Sequence, residues 1–113
     1  MLMNLNNVST SGSITVHPLP ITYGDKVHLH YNGFLLQQPD VSITAHVGYG
    51  NSYKWIKIKD FKMDKLGDEF ITDIPIEDDS RLNICFKGNN GQWDNNNGQN
   101  WSYEVHNGIP NIM

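Results

Sequence analysis

Seven short segments of this chain alternate apolar and polar residues with a period of two, and none holds a helical period for more than a turn or two. That pattern confines the chain to an all-β fold, because alternation buries one face of an extended strand and leaves the other in water. The segments cover residues 13–17, 26–31, 41–47, 54–63, 70–76, 81–87 and 101–105. Within 26–31, Val27, Leu29 and Tyr31 point one way and Lys26, His28 and His30 the other. Within 41–47, Val41, Ile43, Ala45 and Val47 face inward, while Ser42, Thr44 and His46 face outward. Segment 54–63 sets Ile56 and Ile58 on one face, and Phe61 with Met63 requires a bulge or a bend. Phe70, Thr72, Ile74 and Ile76 share a face, with Pro75 marking an edge or a strand end. Leu82, Ile84 and Phe86 turn inward, as do Trp101, Tyr103 and Val105. Turn-rich stretches such as Asn32-Gly33 separate the segments. The expected fold is an antiparallel β-sandwich of about seven strands or more, with a small barrel as the alternative.

A length of 113 residues suits one such domain. Residues 1–12 are expected to form a flexible arm or linker, 13–107 the sandwich and 108–113 a tail. The net charge of −4 argues against duplex nucleic acid, whose phosphates need a concentrated basic surface. Single-stranded nucleic acid would need a basic groove beside stacking aromatics; the run Lys54, Lys57, Lys59, Lys62 and Lys65 is interrupted by Asp60 and Asp64. No apolar run approaches the roughly 20 residues that span a bilayer, and the first residues lack the basic and apolar regions of a secretory signal. A lone Cys85 excludes an internal disulfide and a cysteine-rich zinc site. Asp94, Asn96 and Gly98 fail as an EF-hand start, because Gly stands one place early and Val105 occupies the position of the closing Glu. Asp94 therefore reads as a turn residue that bonds its own backbone. His28 and His30 share a polar strand face; with no third ligand evident, a solvated sheet surface is expected and neither metal nor cofactor. A small glycosidase would need two carboxylates across a cleft, and the aromatic loops hold only Asp94.

Neutral polar residues replace the missing charge: 14 Asn and 10 Gly stand against 8 Lys plus Arg. Much of this bias lies in two stretches, 46–55 and 87–100, each setting large aromatics among Gly and Asn. Such a surface suits sugars, whose C–H faces pack on aromatic rings while their hydroxyls need directional donors and acceptors. Amides serve with a smaller desolvation cost than charges.

The run from Phe86 to Trp101 (FKGNNGQWDNNNGQNW) resembles the W-D-N-N signature of family 25 carbohydrate-binding modules, starch-binding domains related to the family 53 modules of starch synthases. The segments VHLHYNGFLL from Val27 and VSITAHVGYG from Val41 are similar to the strands that precede it. The resemblance implies an immunoglobulin-like sandwich without catalytic activity. It implies binding of α-1,4-glucans such as starch, glycogen and maltooligosaccharides on aromatics from two loops. Carried onto this sequence, it points to His46, Trp55 and Trp93, with Tyr49 and Tyr53 as alternatives to Trp55. Asp94, Asn95 and Asn96 complete the signature, and the two Asn are the polar candidates for sugar hydroxyls. A monomeric module of a secreted, amylase-type protein follows as the expectation.

Overall fold

A computed structural model describes residues 9–108, and within them the chain is a sandwich of two antiparallel sheets. The first sheet holds β1 (Ser9–Ser11), β2 (Ile14–His17), β3 (Lys26–Tyr31), β7 (Glu69–Pro75) and β6 (Asp64–Leu66), in the order β1-β2-β3-β7-β6. The second holds β10 (Trp101–Glu104), β8 (Arg81–Gly88), β4 (Ile43–Asn51) and β5 (Lys54–Lys62) in that order, with β9 (Trp93–Asp94) also on β8. All seven expected strands are present, joined by the short β1, β6 and β9. The arm expected over 1–12 gives way at Ser9, where β1 pairs with β2; residues 1–8 and 109–113 lie outside the described residues.

Inward residues of both sheets meet in one core that includes Val27, Leu29, Tyr31, Ala45, Val47, Ile74, Leu82, Ile84 and Phe86. Apolar burial of this kind supplies the main driving force for joining the sheets. Tyr31 of the first sheet stacks on Phe86 of the second, with ring centroids 4.1 Å apart. Its hydroxyl donates to Asp94 Oδ2 at 2.6 Å, and burial raises its pKa well above the usual tyrosine value. The chain passes from the first sheet to the second through a short 3-10 helix, Phe34–Gln37, that buries Leu35.

One expectation changes in β4 and β5. Alternation in β4 does not stop at Val47 but continues to Tyr49, so residues 46–55 form a β-hairpin rather than a loop. Ile56 and Ile58 share a face that is solvent, 67% and 55% exposed. On the inner side of β5, Lys57 and Lys59 reach Glu77 at 2.9 and 3.0 Å and hold its carboxyl below the ordinary range. Those two lysines are thus paired to one carboxylate.

Candidate functional site

The outward face of the second sheet collects three aromatic rings. Outward positions of β4 bring Thr44, His46 and Gly48 opposite Lys62, Asp60 and Ile58 of β5. Between Tyr49 and Gly50 the register shifts: Tyr49 faces Lys57, yet Gly50 faces Trp55, which leaves Ile56 as the extra residue of a bulge. The bulge resets the alternation and turns Trp55 onto the face that carries His46. Trp55 then lies across Gly48, where a Cβ would collide with the indole at Cδ2 and Cε3. Gly48 is therefore a seat for the ring. On the other side of His46, β9 pairs Trp93 with Lys87 and Asp94 with Phe86, so Trp93 faces outward and Asp94 inward.

The His46 ring sits between the two indoles. Its centroid is 5.8 Å from that of Trp55, at an interplanar angle of 40°, and 5.2 Å from that of Trp93, at 86°. A carboxylate only accepts, so the 2.6 Å contact between His46 Nδ1 and Asp60 Oδ1 is an N–H donated to Asp60. That bond fixes the ring and leaves Nε2 as the atom free to meet a ligand. Trp93 is 44% exposed, with Lys87 Nζ 5.4 Å from its ring centroid. The three rings form an open shelf with polar groups, Asp60 and Lys87, beside it.

The shelf rests on a buried polar network. Asn83 of β8 is fully buried and donates through Nδ2 to the carbonyls of Gly48 and Gly50, each at 3.1 Å. Its Oδ1 accepts from the Ser102 hydroxyl at 2.7 Å, and Ser102 in turn accepts from Arg81 Nε at 2.8 Å. An unpaired buried amide would cost about 1–3 kcal/mol, so this satisfied Asn83 ties the bulged hairpin to β8 and β10. Its neighbour Cys85 is buried across from His46, and burial, with Asp60 and Asp94, pushes its thiol up to about 11. It remains a neutral thiol at pH 7.

His46, Trp55 and Trp93 are thus brought together, and the other expected residues are distributed elsewhere. Tyr49 is corrected: it is fully buried, its hydroxyl donates to the Pro75 carbonyl at 2.6 Å, and burial raises it to about 12. It faces inward because it continues the row of Ala45 and Val47. Tyr53 stands in the hairpin turn, 87% exposed. Asp94 makes the expected turn bond, accepting the Asn96 amide N–H at 3.3 Å, but it is buried and also accepts from Tyr31, so within the signature it is an anchor inside the fold and not a group presented to a ligand. Asn96, Asn97 and Asn100 adopt φ of 56°, 57° and 57°, a left-handed conformation that Asn tolerates better than most residues. Asn96 Nδ2 donates to the Asn100 carbonyl, and Asn95 Oδ1 accepts the Gly98 N–H at 2.9 Å. Asn96 and Asn97 line a separate hollow of about 250 Å³ with Gly12, Ser13, Phe34 and Trp101. Asn95 remains exposed directly after Asp94. Asn83 and Gly48 were not singled out from sequence. Their signal was a polar residue at an outward position of an otherwise apolar strand, and a Gly at an outward position of another.

A family model described as a starch/carbohydrate-binding module (family 53) matches residues 27–84, just over half of the chain. That stretch carries His46, Trp55, Gly48 and Asn83, and ends before Trp93. No curated protein and no solved structure matches the chain.

Proposed function

The chain belongs to the family 53 starch/carbohydrate-binding modules, and from that premise we propose that it binds α-1,4-glucan on the shelf of His46, Trp55 and Trp93. The carrying observation is the convergence of these three rings on one open sheet face, from two hairpins distant in sequence. Aromatic rings take the C–H faces of glucose units, while Asp60, Lys87 and His46 Nε2 meet hydroxyls at the rim. The rings are not coplanar: the indoles of Trp55 and Trp93 tilt from the His46 ring by 40° and 86°. The family is one of binding modules, and the role proposed is to hold a linked α-glucan-active enzyme, in a secreted protein, on its polymer.

An open, wet shelf recovers limited energy per sugar, so affinity is modest. Calorimetric titration with maltoheptaose and with cellohexaose tests the reading. Heat with the first and none with the second is expected; silence with both, or preference for the cello-sugar, overturns it.

A further inference from the structure

The outward face of the first sheet carries three imidazoles that sequence alone did not assemble. β2 and β3 pair so that His17 lies opposite His28 and diagonal to His30. The ring centroids of His17 stand 5.0 Å from His28 and 5.3 Å from His30. The Nε2 atoms of His17 and His30 are 3.2 Å apart. We propose that His17 and His30 form a surface site for a divalent late transition ion of the zinc type, bound through their two Nε2 atoms with water completing the shell.

The spacing carries this inference. Zinc–imidazole bonds of about 2.0–2.1 Å at a tetrahedral angle place two ligand nitrogens about 3.3 Å apart. The observed 3.2 Å separation lies close to that distance. The tautomer is set as well. His30 Nδ1 bonds Glu69 Oε1, and a carboxylate only accepts, so the neutral ring carries its proton on Nδ1 and its lone pair on Nε2. Carboxylate-bonded histidines of this kind are the usual metal ligands, because the second partner orients the ring and raises its basicity. In the metal-free protein His17 Nε2–H is the donor to His30 Nε2. On binding, that proton moves to His17 Nδ1 and the ion takes its place, so the charge of the imidazoles is unchanged.

His30 and Glu69 are each about one-third exposed, so the site is open to solvent. His28 is held instead by Asp73, through Nδ1 at 2.6 Å. Among the described residues, no group of three or more His, Cys, Asp or Glu is arranged to hold a metal ion. The site is accordingly a two-imidazole one, and imidazole pairs select zinc, copper or nickel over calcium or magnesium.

Titration of the full chain with zinc chloride by calorimetry tests the proposal. One equivalent is expected, with His17→Ala and His30→Gln each weakening uptake at least tenfold and His28→Ala by no more than about threefold. Circular dichroism separates lost ligation from lost fold. On the unsubstituted protein, histidine side-chain 15N spectra provide a second measurement: zinc should move the Nε2 signals of His17 and His30. No uptake at millimolar zinc, undiminished uptake in both variants, or shifts at His46 or His106 instead would each overturn it.

Discussion

The two outer faces of the sandwich are built around the same unit and surround it differently. Each sets an outward histidine on a central strand and bonds its Nδ1 to a carboxylate on the neighbouring strand. His46 meets Asp60 at 2.6 Å on one face, and His28 meets Asp73 at 2.6 Å on the other. On the second sheet the histidine is flanked by indoles, Trp55 and Trp93. On the first it stands beside a further imidazole, His17, which in turn meets His30. The neighbours decide the chemistry: ring faces offer stacking to a neutral polymer, whereas a pair of adjacent imidazole nitrogens offers ligation to a cation. The core separates the two faces, so each should fail without the other.

The strongest break in this comparison is Trp93→Ala. It removes a half-exposed ring, and maltoheptaose affinity should fall tenfold or more, about 1.4 kcal/mol, while zinc uptake and the melting temperature hold. Calorimetry with both ligands checks this, and a parallel loss of zinc would show that the faces are coupled. Next comes Gly48→Ala, whose added Cβ dislodges Trp55 from its seat. Glucan affinity should drop about fivefold, because one ring of three is displaced. Tyr49→Phe sharpens the boundary between shelf and core. It removes the bond to the Pro75 carbonyl and should cost about 1 kcal/mol in urea unfolding, with maltoheptaose affinity unaltered. The smallest effect is expected from Tyr53→Ala, at the fully solvated hairpin tip, which should change affinity less than about twofold. A larger loss there would extend the shelf to the turn.

Much of the fold was legible, because period-two alternation is a local signal and every expected strand carries it. What depends on register was not. Tyr49 sits between Gly48 and Gly50, which read as loop composition, yet its parity with Ala45 and Val47 already assigned it inward. Trp55 reached the outer face only through the bulge at Ile56, and a bulge is visible in the pairing of two strands rather than in either one. Asp94 turned inward because Trp93–Asp94 is a two-residue strand on β8, too short for alternation to reveal. His17 joined His30 for the same reason: periodicity shows which way a side chain points, and pairing alone shows whose neighbour it becomes. The three rings of the shelf stood out in the sequence, whereas Asn83 and Gly48, which seat them, did not.

The indole N–H resonances provide the most direct measurement of the shelf. The chain has three tryptophans, two on the proposed shelf and Trp101 buried in the core. On titrating maltoheptaose into 15N-labelled protein, the indole signals of Trp55 and Trp93 should shift together along one binding curve, with Trp101 stationary. A saturable curve that leaves both shelf indoles in place, or moves Trp101 or the His17–His30 face instead, would contradict the glucan site on the second sheet.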